Sequence, residues 1–290
     1  MRVLLTGASG FVGSNIFEYL GRHRELEVET TSKSKTKIHR INRTKAHHFL
    51  ELDNDEVSNF FLKNKYDILI HTAWRGLPNR DSYMNLLNLH SSTQLFQEFT
   101  DSGGKAIIAF GSCLEYGEAI GQVSEDEIGI QTNHFGESKR ILGTRLSNMG
   151  IPYLWIRPFY LYGLNQHSGA LFNDTLTFLE SDNPDWIRDP NSMYDFVHIA
   201  DLARLIFELL RKELWIGELN VGTSNAVSNL TFINEIRGIL GKTRYEIQGK
   251  ERAGMYANLS KLHQYLPNFE FSSLSQGLNS TLQSLRKSTK

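Results

Sequence analysis

Thr6-Gly7-Ala8-Ser9-Gly10-Phe11-Val12-Gly13 is the stretch whose reading decides this chain, because the apolar run Val3-Leu4-Leu5 feeds straight into it and a helical pattern follows to about Leu20. The order is strand, glycine turn, helix. Gly7 permits the tight turn, Gly10 lets backbone approach a pyrophosphate, and Gly13 lets the helix pack close to the strand. Phosphates there would sit on the helix N-terminus, where unpaired N–H groups and the dipole favour negative charge. Three glycines alone are a weak signal, since such turns occur in ordinary sheet proteins. Their place between a strand and a helix is the context a dinucleotide-binding motif requires. Gly7, Ser9, Gly10, Phe11, Val12 and Gly13 are therefore candidate cofactor contacts.

The totals are those of an ordinary globular protein. With 290 residues, 40% hydrophobic and 22% charged, the chain can bury one sizeable core and a smaller second lobe. A formal net charge of -1 gives no reason to expect a nucleic-acid or membrane partner. The single cysteine, Cys113, excludes an internal disulfide and suits a reducing compartment. There is no uninterrupted apolar stretch near the roughly 20 residues a membrane span needs, and a short strand stands where a signal peptide would need a longer apolar run. The expected location is the cytoplasm.

Moving outward from the turn, Leu26 to Thr31 reads as a second strand. Beyond it, Ser32 to Lys45 carries Lys33, Lys35, Lys37, Arg40, Arg43 and Lys45 and no carboxylate. A solvated basic loop is the bland reading. The position says more, because an acid at the end of this strand takes the ribose hydroxyls of NAD whereas a base takes the 2′-phosphate of NADP. With Ser32 and Lys33 there, NADP is favoured over NAD. His48 to Leu52 reads as a third strand, Asp55 to Lys63 as a helix, and Asp53 as within reach of an adenine amino group. Asp67 to His71 reads as a fourth strand ending in Thr72-Ala73-Trp74, beneath the cofactor at the carboxyl edge of a parallel sheet.

A long helix, roughly Asp81 to Thr100, and a buried strand, Lys105 to Phe110, come next. That strand ends in Gly111-Ser112-Cys113-Leu114-Glu115-Tyr116-Gly117, which places a hydroxyl at the ligand edge. Asn133 opens another helix, with Phe135 and Lys139 one turn apart on the same face. Tyr153 to Ile156 makes a sixth strand before Arg157-Pro158-Phe159-Tyr160-Leu161-Tyr162-Gly163. From Gly163 to Asn191 the alternation stops around an apolar helix near Leu171 to Leu179. The chain is then expected to return to the core with Asp195 to Asp201, a helix to about Arg211 and a strand at Glu218 to Val221. Helices near Asn229 to Leu240 and Ser273 to Lys287, with a strand around Arg244 to Ile247, would finish a second lobe.

With these pieces in order, the chain resembles the extended short-chain dehydrogenase/reductases, the group of nucleotide-sugar epimerases, dehydratases and reductases. The resemblance runs almost end to end. It rests on Thr6-Gly7-xx-Gly10-xx-Gly13, His71-Thr72-Ala73, Ser112-xxx-Tyr116-Gly117, Lys139, Arg157-Pro158 to Tyr162-Gly163, and Asp195-Phe196-Val197-His198-Ile199-x-Asp201. It implies an α/β fold: a doubly wound Rossmann parallel sheet with a smaller C-terminal α/β substrate lobe. The cofactor domain would take residues 1–162 plus about 194–222, and the lobe about 163–193 plus 223–290. It also implies a homodimer, in which the helices near Asp81 to Thr100 and Asn133 to Met149 pair across a two-fold axis as a four-helix bundle.

The chemistry that the resemblance implies is hydride transfer at C4 of a nicotinamide, coupled to proton transfer by Ser, Tyr and Lys, with no metal. Ser112 matches the serine that hydrogen-bonds the sugar oxygen. Lys139 matches the lysine that holds the nicotinamide ribose and lowers the tyrosine's pKa. The tyrosine position is Phe135, which has no proton to give and removes a contribution of about 10² to 10⁴ in rate. Three readings stand open: a deliberately inactivated variant that holds its ligand, a working enzyme whose acid is Tyr160 or Tyr116, or a sensor of NADP or a nucleotide sugar. Relatives of the epimerase type carry Asn where Tyr160 stands, so Tyr160 is a second departure. Pro158 and Tyr160 are candidate cofactor contacts. Arg75, Ser112, Cys113, Leu114, Tyr160 and Asn173 are candidate contacts to a nucleotide-sugar substrate.

Within that group the reading is an NADPH-dependent reductase of a 4-keto-deoxysugar nucleotide, similar to the CDP- or dTDP-linked ketosugar reductases of surface-polysaccharide pathways. A reductase releases oxidised cofactor each turnover and draws on NADPH, whereas an epimerase recycles tightly held NAD. The alternatives are an NAD-dependent nucleotide-sugar 4-epimerase and a catalytically dead binding protein.

Overall fold

Val3, Leu4 and Leu5 are completely buried, and the strand they form, β1 (Arg2–Thr6), runs through the middle of a seven-stranded sheet. The computed structural model describes residues 1–33, 47–52, 56–247 and 249–288. Asp53 and the basic residues Lys35 to Lys45 lie outside the described residues. The other strands of the sheet are β2 (Glu27–Ser32), β3 (His47–Phe49), β4 (Ile68–His71), β5 (Ala106–Phe110), β7 (Tyr153–Pro158) and β10 (Gly217–Val221), in the order β10-β7-β5-β4-β1-β2-β3. The ladders from β3 through to β7 are parallel. β4 and β5 are buried at every residue, as continuous apolar strands covered on both faces should be. Strand order reverses between β1 and β4, so the carboxyl ends of these two strands diverge and open a crevice there.

The helices α1 (Phe11–Leu20), α2 (Glu56–Lys63), α3 (Met84–Asp101) and α4 (His134–Ser147) alternate with the strands along the chain. The apolar faces of α2, α3 and α4 supply Val57, Phe61, Leu95, Phe96, Phe99, Leu142 and Leu146 to one core with Leu4, Leu69, Ile107 and Trp155. The chain divides into two compact units. Residues 1–118, 126–157 and 203–219 form the first, and residues 119–125, 158–202 and 220–290 the second.

In the second unit a three-stranded sheet is ordered β11 (Ala226–Ser228), β9 (Met193–His198), β8 (Tyr160–Tyr162), and β12 (Met255–Ala257) pairs in parallel with β6 (Gly121–Val123). The unit also holds α5 (Leu171–Thr177), α7 (Asn229–Ile239), α8 (Ser260–Tyr265) and α9 (Leu274–Ser288). Tyr162, Phe172, Phe232, Ile236, Leu278 and Leu282 make its core. Buried Asp195 ties it together, accepting hydrogen bonds from Thr223 N at 2.7 Å and from Ser224 N and Ala257 N at 3.1 Å each.

Three features depart from the sequence reading. Asp195 to His198 do not rejoin the large sheet; β9 pairs with β8 and β11, which satisfies its backbone within the second unit. Residues 119–125, 158–162, 194–202 and 220–222, expected in the first unit, fall in the second, and the helix α6 (Ile199–Arg211) contributes residues to both. Arg244 to Ile247 forms no strand. There the side-chain amide of Asn234, on α7, accepts from Tyr245 N at 2.8 Å and donates to Tyr245 O at 2.9 Å, taking the place of a neighbouring strand.

Candidate functional site

The glycine turn closes as the sequence requires. Gly10 N donates to Gly7 O at 2.9 Å and Gly7 N to Thr31 O at 3.1 Å. Gly7 has φ +71°, and a Cβ there would stand 2.6 Å from Ala73 N, so no other residue fits. No side chain caps α1 and its first turn holds no acid, which leaves its N-terminal amides facing the crevice edge of the sheet without a competing carboxylate. Thr72 locks β4 to β1, donating through Oγ1 to Thr6 O at 2.7 Å. Beneath, His71 bridges Thr6 Oγ1 at 2.8 Å and Ser92 Oγ at 2.9 Å; burial pushes its pKa down to about 3, so it is neutral.

A cavity of about 240 Å³ lies over this turn. It brings together Gly7, Ser9, Gly10, Ser32, Lys33, Thr72, Ala73 and Trp74 from the expected cofactor set, with Arg75 from the expected substrate set. Phe11, Val12 and Gly13 form the first turn of α1 behind it. Sequence reasoning missed the polar wall that α3 adds: Asn88, Ser91 and Ser92. Their spacing on one helix face was the available signal. Asn88 holds the loop after β4, its amide bonding Arg75 N at 3.2 Å and Arg75 O at 2.8 Å. Ser32 Oγ is 3.1 Å from His47 Nε2.

Ser112, Phe135 and Lys139 all belong to this first unit. Ser112 caps the short 3-10 turn Cys113–Tyr116. Its Oγ accepts from Leu114 N at 3.2 Å, and Ser112 N donates back to Glu115 Oε1 at 2.8 Å. The Glu115 carboxylate is buried and also accepts from Trp155 Nε1 at 3.1 Å and Arg157 Nε at 3.0 Å. Burial raises its pKa, against the pull of Arg157. Cys113 is buried while Leu114 is half-buried. Tyr116 is 1% exposed, with its hydroxyl accepting from Arg157 Nη1 at 3.1 Å.

Lys139 is buried on α4, with Nζ donating to Phe110 O at 2.6 Å and lying 3.7 Å from the Trp74 ring. Phe135 stands edge-on to Trp74 at 5.8 Å between centroids. Burial brings Lys139 down to a pKa of about 7, with Glu115 opposing. A cation–π contact to Trp74 thus holds the ammonium, with the Phe135 ring 5.8 Å away at the position where the resemblance would place a phenol. Trp74 is itself fixed by Nε1 donating to Asn85 Oδ1 at 3.0 Å.

Pro158, Tyr160 and Asn173 belong to the second unit. Tyr160 packs 4.2 Å from the Tyr194 ring. Asn173 donates its amide N–H groups to Gln166 O at 3.1 Å and His167 O at 2.8 Å, so that nitrogen holds a loop. Among the described residues no helix is long and apolar enough to cross a membrane.

The family described as the NAD dependent epimerase/dehydratase family matches residues 3–222. The chain is similar to YtcB of Bacillus subtilis, named as an uncharacterised UDP-glucose epimerase, at 26% identity over 97% of each chain. Among solved structures it is similar to UDP-glucuronic acid 4-epimerase from Bacillus cereus in complex with UDP-glucuronic acid and NAD, at 23% identity, 99% coverage of each chain and a TM-score of 0.82. It is also similar to WbmG from Bordetella bronchiseptica in complex with NAD and UDP, at 18% identity, 99% and 96% coverage, and a TM-score of 0.86.

Proposed function

The chain belongs to the NAD dependent epimerase/dehydratase family, and from that premise we propose that it binds a nicotinamide dinucleotide in the cavity of its first unit and transfers hydride to a nucleotide-linked 4-keto-deoxysugar. The observation that carries the reading is the cavity itself. It joins a glycine turn with no room for a Cβ, an uncapped helix start, Ser32 at the end of β2 and Lys33 just after it, with no acid among its described lining residues. The acid within β2 nearest that end, Glu29, is engaged by Arg2, His48 and Tyr66. The residues present therefore fit an NADP-type dinucleotide, which when bound supplies the hydride at nicotinamide C4. Ser112 would donate its hydroxyl to the sugar's carbonyl oxygen. Lys139 would hold the nicotinamide ribose and carry positive charge next to the reacting atoms. Phe135 supplies no proton, so the proton that the sugar oxygen takes up as hydride arrives would come from another side chain, such as Tyr160 or Tyr116, or from water.

The experiment mixes purified protein with NADPH and 4-ketosugar nucleotides and follows the loss of NADPH absorbance. Oxidation dependent on the sugar nucleotide supports a reductase. A second reading, a 4-epimerase, is favoured by the names of the relatives, among them a UDP-glucose epimerase and a UDP-glucuronic acid 4-epimerase. NAD that survives gel filtration with the protein would select it. Binding of both ligands without turnover by either route would leave a sensor.

A further inference from the structure

Lys33 directly follows β2, and Glu51 lies two residues past β3, between the cavity-lining Leu50 and Leu52. The β2–β3 ladder sets Ser32 opposite Phe49, and Leu50 N donates to Ser32 O at 3.3 Å, so the chain just after β3 runs beside the end of β2. Lys33 Nζ lies 3.2 Å from Glu51 Oε1, with the two side chains 48% and 50% exposed. Lys33, Leu50 and Leu52 all line the cavity wall. The sequence shows no acid from Ser32 to Lys45, yet the fold brings one to Lys33 from across the sheet.

We propose that Glu51 is a specificity-determining residue of the dinucleotide site: it competes with the 2′-phosphate of NADP for the Lys33 ammonium and offers an acceptor to the 2′-hydroxyl of NAD. The proposal rests on the dinucleotide reading of the cavity. A 2′-phosphate carries close to two negative charges near neutral pH. Arriving at Lys33, it meets a neutral ion pair and must displace a carboxylate of like sign. A ribose diol meets the same carboxylate as a hydrogen-bond acceptor. Glu51 thus narrows the preference for NADP that Ser32 and Lys33 create, and the chain uses both cofactors. Both side chains are half in water, so the competition is worth a fraction of a buried pair.

The test is the dissociation constant of the full chain for NADPH and for NADH, by titration calorimetry, in the parent, Glu51→Gln, Lys33→Ala and the double variant. Glu51→Gln should tighten NADPH about fivefold and weaken NADH by a similar factor. Lys33→Ala should weaken NADPH about tenfold and leave NADH within about twofold. In the double variant the NADPH gain should vanish, because the charge that Glu51 masks is gone. If Glu51→Gln moves both cofactors alike, the selector role is overturned while the dinucleotide site stands. If the parent binds neither cofactor, the reading and the proposal fall together.

Discussion

On the proposed reading, Phe135 is the residue on which activity turns. Its ring lies edge-on to Trp74, and its centroid is 5.8 Å from Lys139 Nζ. Phe135→Tyr would add a hydroxyl one helical turn from Lys139. The neighbouring ammonium favours the phenolate, so the new pKa should fall toward neutrality, as suits an acid working near pH 7. Single-turnover NADPH oxidation with a 4-ketosugar nucleotide should rise by about 10²-fold or more, with little change in ligand affinity. Equal rates in both forms would point to another acid, and Tyr160→Phe would then be the variant to make. Lys139 itself gives a prediction on stability. Its folded pKa of about 7 lies below its ordinary value of 10.5, so between pH 7 and 10.5 the unfolded chain binds a proton that the folded chain has released. Stability contributed by this group therefore rises with pH through that window. Lys139→Met should be more stable than the parent at pH 7 and show a flatter rise. Urea melts at pH 7 and pH 9.5 check both; a destabilised variant at pH 7 would mean the ammonium's contacts outweigh its desolvation.

At the scale of elements, the ligand edge depends on how closely α4 approaches β7. Gly143 faces the Trp155 indole, and a Cβ there would lie 2.8 Å from Trp155 Cε2. The indole cannot yield freely, because Trp155 is fully buried and its Nε1 is bonded to Glu115, the carboxylate that also holds Ser112 N. Alanine is the better helix former by about 1 kcal/mol. Overpacking costs about 1–3 kcal/mol. Gly143→Ala should therefore lower stability by about 1 kcal/mol or slightly more, read as a lower urea midpoint at unchanged slope. A higher midpoint would show that the strand and helix can separate without loss. Any shift of Trp155 passes through Glu115 to Ser112, so the variant should also slow turnover.

At the scale of the whole molecule, the expected homodimer has a candidate surface. α3 exposes Leu86 at 58% and Leu87 at 41%, just after the exposed Tyr83, and α3 packs beside α4, with Arg145 Nη1 donating to Thr93 Oγ1 at 3.1 Å. Apolar side chains grouped on an exposed helix face mark an interaction surface. Light scattering at micromolar concentration should give twice the chain mass, and Leu86→Glu with Leu87→Glu should reduce it to one chain. A monomeric parent would remove the dimer from the reading.

What the sequence by itself determined is what depends on neighbours along the chain. Val3 to Leu5, the glycine turn and α1 were legible because strand burial, positive φ and a helix start each demand particular residues within a few positions. The apolar runs of β4 and β5 and the Phe135–Lys139 spacing were legible for the same reason. Tertiary structure alone decided how distant side chains meet. Glu115 joins Arg157 from 42 positions away while also holding Ser112 N, and Arg157 reaches the Tyr116 hydroxyl as well. Lys33 meets Glu51 only because β2 and β3 lie side by side. The amide of Asn234 completes the segment at Tyr245 in place of a strand, and β9 finds its partners in β8 and β11. Backbone pairing and ion pairing are satisfied by whatever group the fold delivers within about 3 Å, and local pattern carries no record of that distance.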